Sequence, residues 1–170
     1  MRKFNILFFF LFNIGFMNAA LKIGTLAPDF KLKDEQGVTR SLSSFHGNKV
    51  ALVFYPKNDS YYCTKEACSL REGFSLFKKN NIIVLGISYA DPSENKAFKE
   101  KHALPFTLLS DTKKKVSKLY DTYIWWSLGF FPKRRTFLID EHGILVGILD
   151  DVDVERHAQQ IINTFISFSA

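Results

Sequence analysis

Two blocks of apolar residues interrupt an otherwise mixed chain. Val50 to Tyr55 reads V-A-L-V-F-Y, and Ile82 to Ser88 reads I-I-V-L-G-I-S. Continuous runs of β-branched, aliphatic and aromatic residues at this length predict strands buried on both faces. Phe30 to Leu42 alternates instead, around Glu35-Gln36-Gly37, and predicts an N-terminal hairpin. Phe106 to Leu109 reads as a short strand. Thr136 to Ile139 and Ile144 to Leu149 read as strands joined through Glu141-His142-Gly143. Between these, the period changes to three and four. From Thr64 onward apolar residues fall at Ala67, Leu70, Phe74 and Phe77, one side of a helix. Asp91-Pro92-Ser93-Glu94 combines a cap, a proline in the first turn and an acidic residue, starting a helix to about Lys101. Thr112 to Tyr120 is helical with Val116, Leu119 and Tyr120 inward. Asp153 to Phe168 is a last helix that buries Ile161, Ile162, Phe165 and Phe168. Strand, helix, strand, helix, then a hairpin and a final helix predicts an α/β sandwich around a central mixed sheet.

The first twenty residues stand apart. Arg2 and Lys3 precede an apolar stretch from Phe4 to Met17, broken by Asn5, Asn13 and Gly15, and small residues close it. Residues 1–20 therefore read as a signal peptide or an N-terminal anchor, which predicts a periplasmic or secreted protein rather than a cytoplasmic one. Residues 21–170 are the size of one domain with an ample core. The net charge of +6 becomes +4 without Arg2 and Lys3. Lys113-Lys114-Lys115 reads as a solvated face, so no nucleic-acid partner is expected. Nor is a membrane partner, unless the N-terminus is retained.

The chain has two cysteines, Cys63 and Cys68. Pro56 ends the first buried strand, Lys57-Asn58-Asp59-Ser60 is turn chemistry, and a helix follows. Cys63 thus lies where a central strand, a short loop and a helix N-terminus meet. Unpaired N–H groups and the helix dipole favour an anion there, so Cys63 should exceed an ordinary thiol as a nucleophile. In an ideal helix, residues five apart are about 8–9 Å apart between Cα atoms, beyond the roughly 7 Å limit for a disulfide. If the two bond, the first turn must unwind. Inert buried thiols or a structural bridge are the alternatives on spacing alone. Zinc is poorly served, because no histidine lies near the pair in sequence.

The segment F-Y-P-K-N-D-S-Y-Y-C-T-K-E-A-C resembles the active-site segment of peroxiredoxins of the bacterioferritin-comigratory, or Q, type, F-Y-P-x-x-x-T-P-x-C-T-x-E-x-x. Gly24-Thr25-Leu26-Ala27-Pro28-Asp29-Phe30 resembles that family's opening G-x-x-A-P-x-F. Arg134-Arg135-Thr136-Phe137-Leu138-Ile139-Asp140 resembles its R-x-[ST]-F-L-I-D strand. Here Ser60 stands for the family's threonine, Tyr61 for its proline, and Tyr62 for a small residue. The resemblance implies a thioredoxin-like fold and a thiol peroxidase of hydrogen peroxide and organic hydroperoxides, with an antioxidant role. It implies Cys63 as peroxidatic thiolate passing through a sulfenic acid, and Cys68 as resolving thiol in a Cys63–Cys68 disulfide. Ser60 and Arg134 would complete the catalytic set; counting back six from Asp140 selects Arg134 over Arg135, and neighbours on a strand face opposite ways. Thioredoxin or another dithiol would be the reductant, the chain a monomer, and no metal, haem or flavin is implied.

Two other readings belong beside it. One is an exported thiol-disulfide oxidoreductase of the same fold, although C-x-x-C is absent. The other is a non-enzymatic thioredoxin-fold binding domain with a structural disulfide. His46, His102, His142 and His157 are scattered and read as surface or internally satisfied. Trp125-Trp126 and the neighbouring phenylalanines read as core or interface, or as a wall of the active site.

Overall fold

The computed structural model describes residues 21–127 and 129–168. The expected signal segment, Met1 to Ala20, lies outside them. Among the described residues, no helix is long and apolar enough to cross a membrane.

Seven strands form one sheet: β1 (Lys31–Asp34), β2 (Thr39–Ser41), β3 (Lys49–Phe54), β4 (Ile82–Ser88), β5 (Thr107–Ser110), β6 (Arg135–Ile139) and β7 (Leu145–Leu149). Their spatial order is β2-β1-β5-β4-β3-β6-β7. The two apolar runs become β3 and β4, paired in parallel at the centre, with β5 parallel on the far side of β4. β6 runs antiparallel to β3, and β7 antiparallel to β6. The sheet is mixed, as expected, and helices cover it.

Alternation along β3 builds two cores. Ala51 and Val53, continued by Tyr55 beyond the strand, face one side, and Val50, Leu52 and Phe54 the other. The first side is covered by α1 (Tyr61–Glu72), α2 (Phe74–Lys79), α5 (His157–Phe168) and Phe98 of α3 (Pro92–Lys101). The second holds Phe137 and Tyr120 with Val116 of α4 (Lys115–Leu119).

The N-terminal hairpin is part of this sheet. β1 pairs antiparallel with β5 through Lys33–Ser110 and Asp34–Leu109. Where the ladder would end, the buried Glu35 carboxylate accepts the Leu108 N–H at 3.0 Å and pairs with Lys99 of α3. A residue that reads as turn chemistry thus closes a sheet edge.

Several helix boundaries differ from expectation. α1 begins at Tyr61, three residues early, and stops at Gly73; Phe74 and Phe77 belong to α2. A Cβ on Gly73 would lie 2.3 Å from the Ala158 Cβ. Only glycine lets α5 pass that close. α4 begins at Lys115, not Thr112, because Asp111 accepts the N–H groups of Val116 and Ser117 while Lys114 turns left-handed. α5 begins at His157, not Asp153, because Asp153 closes a local turn onto Glu155 and Arg156. Phe168, expected inward, is exposed, and Leu119 borders on exposed. Trp125 and Trp126 are not core: they sit in a 3-10 turn, 77% and 71% exposed. The expected capping of α3 is present in full, with Asp91 accepting Glu94 N–H and Glu94 accepting Asp91 N–H.

Gly73→Ala should lower stability by about 1–3 kcal/mol through overpacking, and adding Ala158→Gly should recover most of it. Urea unfolding checks this; a Gly73→Ala midpoint equal to that of the unaltered protein would refute the contact as the reason for the glycine.

Candidate active site

β3 delivers the chain to the Lys57–Ser60 turn, and buried polar contacts hold that turn. The Tyr55 hydroxyl donates to Asn58 Oδ1 at 2.8 Å, and Asn58 Nδ2 donates to Asn95 Oδ1 at 3.0 Å. Asn95, fully buried on α3, donates in turn to Ser110 Oγ at 3.0 Å. Burial pushes the Tyr55 phenol well above its ordinary range. Asp59 adopts a left-handed conformation and accepts from Lys101 at 2.8 Å, with His102 Nε2 3.0 Å away. Those two hydrogen bonds hold its carboxyl below the usual range.

Ser60 occupies the N-cap position of α1. Its carbonyl accepts Thr64 N–H at 2.9 Å, but its hydroxyl turns back to the Lys57 carbonyl at 3.1 Å. Cys63 is in the first helical turn and 2% exposed. Tyr61 and Tyr62 stand outside it, exposed and packed edge to face at 5.1 Å.

Helical and strand periods assemble what lies beneath the sulfur. Glu66 is three residues after Cys63, so both face inward from α1. Arg134 and Thr136 are two apart at the start of β6 and share a face. Arg134 Nη2 lies 3.1 Å from Cys63 Sγ while its Nη1 pairs with the buried Glu66. Arg135 points the other way, to Asp150 and Asp121, over the Phe137 ring. His157, fully buried at the start of α5, sets Nε2 3.0 Å from Thr136 Oγ1. Its Nδ1 stands 3.1 Å from Glu66 Oε1, off the line a hydrogen bond requires, and neither of these two atoms has another hydrogen-bond partner. Burial first, and the Arg134 charge second, push the imidazole down to about 3. His157 is therefore neutral near neutral pH.

Cys63 and Cys68 are both free, and both lie in α1 without a break. Helix geometry then separates their Cα atoms by about 8–9 Å. On the core side of Cys63, a cavity walled by Val53, Tyr55, Phe98 and Phe106 offers about 10 Å³, barely room for one water.

Residues 23–148 match the model of the AhpC/TSA family. The chain belongs to the AhpC/TSA family. Within it, the resemblance to the bacterioferritin-comigratory, or Q, peroxiredoxins is borne out. The chain is 36% identical over 155 residues to peroxiredoxin Bcp of Bacillus subtilis, covering 88% of this chain and 98% of the relative. It is 39% identical over 149 residues to chloroplastic peroxiredoxin Q of Populus jackii, covering 85% and 68%. The crystal structure of peroxidoxin BcpB from Mycobacterium tuberculosis superposes with a TM-score of 0.80 at 29% identity, covering 86% of this chain and 97% of that one. This peroxiredoxin is a peroxidase-type oxidoreductase with the expected thioredoxin-like fold.

Three residues that the structure brings to the candidate site, Glu66, Thr136 and His157, are not among the site residues expected from the sequence. Glu66 and Thr136 were open to selection, since they share faces with Cys63 and Arg134. Nothing local marks His157. It is satisfied only in part, at Nε2.

The folded pKa of His157 lies below its unfolded value of about 6.5. The unfolded chain binds the extra proton, so this residue's contribution is complete above about pH 6.5 and is lost as pH falls toward 3. The slope should approach about 1.4 kcal/mol per pH unit within that window. Urea unfolding at several pH values should show a steeper acid-side loss in the unaltered protein than in His157→Phe; parallel curves would refute it.

Proposed function

We propose that Cys63 is the peroxidatic nucleophile of a peroxidase that reduces hydrogen peroxide and organic hydroperoxides, and that Cys68 resolves it. The observation that carries this reading is the Arg134 guanidinium 3.1 Å from a buried cysteine sulfur in the first turn of a helix. A cation and a helix start together favour negative charge at that position during peroxide attack.

The thiolate attacks the terminal peroxide oxygen in line. An S–O bond forms, the O–O bond breaks, and the leaving oxygen takes a proton to depart as water or alcohol. Charge gathers on the oxygens during this step, where Arg134 and the free N–H groups of the first turn can meet it. The Ser60 hydroxyl contributes by leaving the Lys57 carbonyl for a peroxide oxygen. Cys68 sulfur then displaces water from the Cys63 sulfenic acid, giving an intramolecular disulfide. A thioredoxin-type dithiol reduces that bond and is itself oxidised. The apolar segment before Ala20 supports export, which would make the reductant a dithiol outside the cytosol.

Stopped-flow consumption of hydrogen peroxide with dithiothreitol as reductant tests the assignment. Cys63→Ser should abolish turnover, whereas Cys68→Ser should still consume about one equivalent and carry its oxidation on Cys63 by mass spectrometry. Retention of the first equivalent in Cys63→Ser, with its loss in Cys68→Ser, reverses the two roles.

The disulfide also demands that α1 open, because its Cα atoms must come within about 7 Å. Amide exchange across Thr64 to Leu70 should therefore accelerate on oxidation while β3 stays protected. Unchanged protection in protein proven to hold the Cys63–Cys68 bond would falsify this coupling.

A further inference from the structure

Beneath the sulfur runs a continuous line of polar contacts ending at a helix remote in sequence. Cys63 Sγ meets Arg134 Nη2, Arg134 Nη1 meets Glu66 Oε2, Glu66 Oε1 faces His157 Nδ1, and His157 Nε2 meets Thr136 Oγ1. Glu66 and His157 are both essentially inaccessible to solvent, so no water can substitute for a missing partner at the Oε1 end. A carboxylate offers no hydrogen, so the Nδ1 facing it must carry the proton. Nε2 then has only a lone pair, and the Thr136 hydroxyl supplies the hydrogen there. One tautomer of a neutral imidazole thus sets a donor 3.1 Å from Oε1 and an acceptor 3.0 Å from the Thr136 hydroxyl.

We propose that His157 is a positioning residue for the peroxidatic cysteine: its Nδ1–H fixes the Glu66 carboxylate, and Glu66 fixes the Arg134 guanidinium against Cys63 Sγ. This rests on the reading of Cys63 and Arg134 above. Without the imidazole donor, Glu66 has Arg134 as its sole strong partner, and the guanidinium is drawn toward the carboxylate and away from sulfur. The depth of His157 is set by the packing of α5 on α1. Ala158, the next residue, meets Gly73 at a distance no Cβ would allow, and its N–H lies 3.4 Å from Ser69 Oγ. Arg134, Glu66 and the more distant Asp153 are the charged groups that the ring senses.

The test compares His157→Phe, which fills the volume without a donor, with His157→Asn, whose amide hydrogens reach the Nδ1 position, and His157→Gln, whose amide reaches the Nε2 position. Full-length variants are assayed for the second-order rate with hydrogen peroxide and for thiolate ultraviolet absorbance against pH. His157→Phe should lose about tenfold or more in rate, with the absorbance midpoint moved upward. His157→Asn should stay near the unaltered protein and His157→Gln should resemble His157→Phe. In a Glu66→Gln background, His157→Phe should add little. Should His157→Phe fail to fold, the Asn and Gln pair decides alone. Equal losses in Asn and Gln variants, or lost stability with an unmoved absorbance midpoint, overturn the proposal in favour of plain packing. Rates unaffected by any His157 substitution also overturn it. If the unaltered protein does not react with peroxide, or reacts equally as Cys63→Ser, the failure lies with the peroxidase reading instead.

Discussion

The arrangement depends on one buried ion pair, Arg134 with Glu66. It joins the start of β6 to the first turns of α1 in a place with little water, where an unpartnered charge would cost several kcal/mol. Each member has a second duty. Glu66 faces His157, and Arg134 reaches Cys63. The guanidinium therefore carries positive charge to the sulfur without standing as an isolated buried cation. Removing either partner alone leaves the other uncompensated, which makes the pair a fixed point about which α1, β6 and α5 are set.

Under the proposed roles of the two cysteines, that fixed point conflicts with resolution. The closed helix holds Cys63 against Arg134 and keeps Cys68 out of reach, so under the proposed mechanism the state suited to peroxide attack is unsuited to disulfide formation. The proposed disulfide would require the contacts at the helix start to give way. Thr64 N–H holds the Ser60 carbonyl, Asp59 is held by Lys101 with His102 beside it, and Lys65 is paired with the exposed Glu155. The two ion pairs are exposed contacts, each worth little. The buried chain Tyr55–Asn58–Asn95–Ser110 lies on the sheet side of the turn and belongs to the part that stays. Such a division lets the helix start open without disturbing β3. The exposed Tyr61 and Tyr62, in the positions of a proline and a small residue in the family pattern, sit on the side that would open.

Continuous apolar runs and their alternation are local properties, and they were enough to identify β3, β4, the two hairpins and the mixed α/β class. The segment around Cys63 and the strand beginning at Arg134 were enough for the family. Strand alternation also required that Arg134 and Arg135 part company, and they do. Helix ends were less legible, since Asp111, Asp153 and Gly73 act through partners that sequence spacing does not display. Of the readings open for Trp125 and Trp126, core is excluded by their exposure, for a related reason: hydrophobicity alone does not say whether a neighbouring element arrives to cover a residue.

What the chain determined by itself was therefore periodic: which residues share a face, where a helix can start, and that two cysteines five apart cannot bond within an unbroken helix. What only the tertiary structure decided was which faces meet. The seating of β1 beside β5 through Glu35, the passage of α5 across Gly73, and the placing of His157 under Glu66 join residues 73, 85 and 91 positions apart. Contacts at such separation leave no repeating trace in sequence. They arise because burying the two faces of one sheet forces distant helices into the same small volume, and polar groups caught there must find partners in one another.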